Sequence, residues 1–149
     1  MKRRFTARED APPWPGRAVD TSVLVAAFGE WHPRHDMAQA ALEASDTLVS
    51  HTLLEAYSVL TRMPPPYRAS GADVNAFLQA ASTKRTLLSL PAGAQREHLQ
   101  RCAALKLRGG AIYDGLIGAT CAHAKALLVT LDKRARHTYA ALGAEYQLL

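Results

Sequence analysis

The amino-acid sequence predicts an α/β domain built on a central, mostly parallel sheet with helices on both faces. Short apolar runs, too brief for helices, alternate with longer stretches of helical periodicity, which is the pattern of β-α-β units rather than hairpins. Leu127, Leu128 and Val129 form an uninterrupted apolar run, as a strand covered on both faces would. Acids recur where a strand hands over to a helix or in a helix's first turn, at Asp20, Glu55, Asp114 and Asp132.

Residues 1–16 read as an N-terminal extension, because Pro12, Pro13, Pro15 and Gly16 break any periodicity there. The domain occupies residues 17–149. Its first strand ends at Asp20, and a helix opens at Thr21 or Ser22, whose hydroxyls can cap it. Pro33 begins a helix to about residue 44, at a position where its missing N–H costs nothing. Residues 47–50 are a second strand, and residues 51–63 a helix with Leu53, Tyr57 and Leu60 along one face, stopped by three prolines. A helix from residue 70 or 71 to 82, a strand over 86–90 and a helix over 91–107 follow. Gly109 and Gly110 mark the loop before a helix over 111–125, whose first turn holds Asp114. Asp132 lies just past the carboxyl end of the strand around 127–129. A last helix over 133–142 and a final strand over 145–149, set off by Gly143, complete the chain.

At 149 residues the chain is long enough to bury roughly two-thirds of its unfolded surface in one core, with no need of disulfides. No apolar run is long enough to span a membrane, and the basic start lacks the apolar core of a secretory signal. Cys102 and Cys121, each within a predicted helix, read as small buried hydrophobes in a reducing compartment, which suits a cytoplasmic protein. The six histidines show no metal-ligand spacing. With 18 Lys and Arg against 13 Asp and Glu, the balance favours polyanionic partners. If four of those acids share a pocket, nine are left to face the 18 cations.

Each acid has a structural explanation of its own. Asp20 can cap a helix, Thr52 and Glu55 have capping-box spacing, Asp114 suits a helix dipole, and Asp132 can hold a turn. Right-handed crossovers, however, bring the carboxyl ends of parallel strands to one edge of the sheet. Carboxylates crowded there repel and raise one another's pKa unless a cation neutralises them. An all-oxygen donor set suits Mg²⁺ or Mn²⁺, which keep several waters and bind substrate phosphate.

The segments VDTSVL (residues 19–24), LLE (53–55), YDGLIGAT (113–120) and LVTLD (128–132) resemble the four motifs of PIN-domain ribonucleases, especially the VapC-type toxins of bacterial toxin–antitoxin pairs. The resemblance runs from about Ala18 to the end, in order and with similar spacing. It implies a PIN-like three-layer fold and a Mg²⁺- or Mn²⁺-dependent endoribonuclease that cuts tRNA or rRNA, leaves a 5′-phosphate and is silenced by a cognate antitoxin. Asp20 and Asp114 match the family's principal metal ligands, Glu55 and Asp132 complete its catalytic quartet, and Thr21 and Thr130 match its small polar supports. Asp20 and Asp114 would hold the cation while Asp132 or Glu55 orients or deprotonates the attacking water. Many relatives carry a further acid two positions after the last motif acid; here that place is Arg134, which weakens the case for a second metal.

Lys133, Arg134 and Arg136 follow Asp132 on the predicted last helix and are candidate RNA-phosphate contacts, with Lys106 and Arg108 as an opposite bank. Trp14 and Trp31 are expected to pack on the domain or a partner rather than stack on bases. Apolar faces over residues 23–28 and 37–42 suit a homodimer or an antitoxin segment, with ordinary burial as the simpler account. A phosphatase of the haloacid-dehalogenase type would need a second Asp at the position of Ser22. A non-catalytic RNA- or protein-binding module on the same fold is the alternative function.

Overall fold

The computed structural model describes residues 16–149. The extension expected over residues 1–16 therefore lies outside the described residues, as does Trp14, apart from Gly16, which opens the first strand. Five strands, β1 (Gly16–Val19), β2 (Thr47–Val49), β3 (Thr86–Leu88), β4 (Ala126–Thr130) and β5 (Tyr146–Leu148), make one sheet in the order β3-β2-β1-β4-β5. Every neighbouring pair is parallel, so the sheet is wholly rather than mostly so. Between the strands run α1 (Thr21–Phe28), α2 (His35–Glu43), α3 (Ser50–Arg62), α4 (Gly71–Thr83), α5 (Ala92–Ala104), α6 (Ala111–Ala124) and α7 (Arg136–Ala141). Among the described residues no helix is long and apolar enough to cross a membrane.

Alternation along the strands builds two apolar layers. Val19, Leu48 and Val129 face one way and join Leu24, Leu60 and Val74 from the first four helices. Ala18, Val49 and Leu128 face the other and join Ile117, Cys121 and Tyr139 from α6 and α7. That is why the central strands read as continuous apolar runs. The apolar face of α1 goes into this core, with Val23, Leu24, Ala26 and Ala27 all buried.

The chain lays β2 and β3 to one side of β1, then returns to add β4 and β5 on the other. The reversal falls between β1 and β4, where Ala18 pairs with Leu128 and Val19 with Val129. At such a switch point a crevice opens beyond the carboxyl ends of the strands.

Several element ends differ from expectation for local reasons. The cap of α1 is Asp20, whose carboxylate accepts the Val23 N–H, rather than the hydroxyl of Thr21 or Ser22. The Thr52–Glu55 capping box does not form: α3 begins earlier, at Ser50, and the Thr52 hydroxyl donates back to the Val49 carbonyl at 2.7 Å. Pro33 stays outside α2, because the His32 ring takes the Arg34 N–H and the His32 carbonyl takes the His35 N–H, tying off a turn. Lys133 and Arg134 precede α7 instead of lying on it, since the Asp132 carboxylate captures the Arg134 N–H at 2.8 Å.

Candidate active site

Asp20 forms the floor of the crevice and is 2% exposed. One carboxylate oxygen accepts the Ser22 hydroxyl at 2.5 Å and the Val23 N–H at 3.3 Å. The other accepts the Thr130 hydroxyl and, at 2.7 Å, the phenol of Tyr139. Burial nevertheless raises its pKa, against the lowering effect of all four donors. Burial first, and then the charge of Asp20, keep the Tyr139 phenol protonated and therefore a donor.

The other three acids complete the wall. Asp20, Glu55, Asp114 and Asp132 line a single hollow of about 340 Å³, together with Thr21, Ser22, His32 and Tyr139. The geometric expectation that folding gathers these acids is met. Glu55 stands on α3 and Asp114 in the first turn of α6, facing the crevice between β1 and β4. Thr130 links two of the acids: its hydroxyl donates to Asp20 and its oxygen accepts the Asp132 N–H at 2.9 Å.

The charges in this hollow are not balanced by bases. Burial, with the charges of Glu55, Asp132 and Asp20, raises the pKa of Asp114 to about 6. Burial and then Asp20 also push Glu55 upward, against Arg62. His51 Nε2 lies 2.9 Å from a Glu55 oxygen, and both atoms are buried without a hydrogen-bond partner among the described residues. Burial lowers the His51 pKa, so the neutral ring does little to offset the carboxylate.

The donor set fits a hard divalent cation. It consists of carboxylate oxygens, and the Thr21 hydroxyl that lines the hollow is buried with no hydrogen-bond partner among the described residues. Among the described residues no three His, Cys, Asp or Glu side chains close on one point as a ready-made cage. An open arrangement suits an ion that retains water and is completed by substrate oxygens. Asp114, whose pKa is raised with no opposing hydrogen bond, is the acid best placed to gain from such a charge.

The PIN domain family matches residues 17–141, the span that carries all four acids. The chain belongs to the PIN domain family. It is 44% identical to Ribonuclease VapC40 of Mycobacterium tuberculosis over 132 residues, which is 89% of this chain and 98% of that protein. It is 37% identical to Ribonuclease VapC27 of the same organism over 131 residues, or 87% and 93% of the two chains.

Three participants in the site of this PIN domain are not legible in its sequence. Ser22 reads there as a helix cap and as the missing second Asp of a phosphatase; its hydroxyl instead ties Asp20 to the Leu131 N–H at 3.0 Å. Tyr139 carries no local signal, since nothing in an amphipathic helix shows that one aromatic reaches a carboxylate 119 positions earlier. The sequence lets His51, beside Thr52, approach the site but favours capping; its ring meets Glu55 and stacks on Tyr113 with centroids 5.1 Å apart. Of the basic candidates, Lys133 borders an adjoining hollow, while Arg134, Arg136, Lys106 and Arg108 border neither. Trp31 packs on its own domain against Tyr67, with ring centroids 4.8 Å apart.

Proposed function

We propose that this PIN domain is a metal-dependent endoribonuclease of the VapC toxin type, hydrolysing phosphodiester bonds in cellular RNA. The observation that carries the reading is the convergence of Asp20, Glu55, Asp114 and Asp132 on one hollow. The names of its relatives, both ribonucleases, support RNA as the substrate. The VapC likeness supports a cognate antitoxin as partner, a toxin's place in the cytoplasm, and tRNA or rRNA as the target. A homodimer belongs to the same reading, with exposed Leu54, Tyr57 and Tyr113 offering apolar area beside the site.

Mg²⁺ or Mn²⁺ bound here would supply Lewis-acid activation of water and neutralise charge on the phosphoryl oxygens. Asp114 and Asp20 would hold the ion, Asp114 from the wall and Asp20 from the floor. Asp20 is fixed in direction by its four donors, so its carboxylate cannot swing out of the crevice. Glu55, whose pKa is raised by burial and the charge of Asp20, is suited to take a proton from the attacking water, which Asp132 orients across the hollow. His51 and Tyr113 limit where the Glu55 side chain can go.

Total RNA incubated with the purified protein should be cut when Mg²⁺ or Mn²⁺ is present and left whole in EDTA. Persistent cutting by Asp114→Asn, or none by the wild type with either ion, would reject the assignment.

A further inference from the structure

A second hollow of about 330 Å³ opens beside the acidic one and shares Ser22, His32 and Asp132 with it, but its other polar lining is Arg34 and Lys133. The first hollow thus gathers four carboxylates, whereas the second sets two cations against the shared Asp132. His32 Nδ1 accepts the backbone N–H of Arg34 at 3.0 Å, which places the proton of the neutral ring on Nε2 and makes that atom a donor. Among the described residues the guanidinium of Arg34 meets only the weak acceptor Met37 Sδ, at 3.4 Å. Neither Arg34 nor Lys133 forms a salt bridge with any described residue. Leu131 and Leu149, both packed against the core, give the hollow an apolar back.

An RNA strand laid across the acids presents phosphates at regular intervals, and only the one being cut can share the cation held by the carboxylates. Its neighbours, left over the same negative field, need positive groups from the protein. We propose that the hollow formed by His32, Arg34 and Lys133 binds the phosphate next to the scissile one in single-stranded RNA. This rests on the nuclease reading and adds to it a direction: the strand runs from the acids over Asp132 towards the loop between α1 and α2. Arg34 and Lys133 bind the phosphate diester by charge, and His32 by a neutral N–H.

The test uses a fluorescent single-stranded oligoribonucleotide in EDTA, with binding read by anisotropy across a range of KCl concentrations, so that no cleavage is needed. Arg34→Gln and Lys133→Gln should each weaken binding several-fold and flatten the log–log salt dependence by about 0.7 for each phosphate that the variant no longer neutralises. Arg96→Gln, which removes an exposed cation from α5, should leave the slope unchanged. Once the cut is mapped with Mn²⁺, a neutral methylphosphonate at the adjacent linkage should weaken wild-type binding but add little to the Arg34→Gln defect. Slopes in both variants equal to that of the wild type, or no RNA binding by the wild type, would overturn the subsite. Binding without cleavage in Mn²⁺ would instead reject the nuclease reading, while the slopes still decide the subsite.

Discussion

Tyr139 shows how much the site depends on a group that never reaches solvent. Its phenol is one of four donors on Asp20, and the residue is 1% exposed. Tyr139→Phe keeps the ring and deletes the donor, so packing is preserved while a charged acceptor loses a partner. The expected cost is about 1.5–3 kcal/mol, measured by urea unfolding, with RNA cleavage reduced as Asp20 gains freedom to turn. An unchanged stability would mean that the hydrogen bond contributes nothing. Asp114 makes the opposite case, an acid whose ionisation the fold resists. Its pKa is raised from 3.8 to about 6, so the native state binds the proton more tightly than the unfolded chain does. The resulting stabilisation is full below the unfolded value and is lost as pH rises through about 6. Metal-free protein should therefore gain stability as pH falls from about 7 towards about 4, and Asp114→Asn should flatten that gain in a series of thermal melts. Asp20 differs again: its amide analogue would turn an NH₂ towards hydroxyl and backbone donors, so Asp20→Asn should perturb the fold more than Asp114→Asn.

Among the elements, α6 and α7 place Tyr139, and the closeness of the two helices is set by a glycine. A Cβ on Gly118 would lie 3.2 Å from both the Cα and a ring carbon of Tyr139. Because one of those atoms is backbone, the helix as a whole would have to retreat. Gly118→Val should cost about 1–3 kcal/mol by overpacking and lower cleavage further by pulling the phenol away from Asp20. Gly93 on α5 provides the contrast, since a Cβ added there would meet no atom within 4 Å. Gly93→Ala should stabilise by about 0.5–1 kcal/mol through helix propensity alone, with no effect on activity. Chemical denaturation of the two variants side by side separates closeness of approach from helix propensity.

For the whole molecule, the arrangement of charge matters more than its sum. A chain of net charge +5 concentrates four of its 13 acids in one crevice and leaves its cations elsewhere, two of them in the adjoining hollow. Repulsion in the crevice should make the metal-free protein less stable at neutral pH than the metal-bound form. Excess Mn²⁺ should raise the Tm at about pH 7, raise it less towards about pH 5 as protons compete for the carboxylates, and raise it little in Asp114→Asn. A Tm indifferent to Mn²⁺ would mean that the acids do not hold the ion.

Apolar periodicity and handover positions are local properties that a one-dimensional pattern records, so the α/β class, the order of the elements and the four acids could be read from the chain alone. That pattern misplaced the ends of α2, α3 and α7, where hydrogen bonds accepted by His32 and Asp132 and donated by Thr52 outweighed propensity. The strand order, the wholly parallel pairing and the roles of Ser22, His32, His51 and Tyr139 around the crevice emerge from packing alone. The reason is physical: a hydrogen bond between Tyr139 and Asp20 exists because α7 packs beside Gly118 at the edge where β1 and β4 part, and that proximity is a product of the packed core rather than of any stretch of chain.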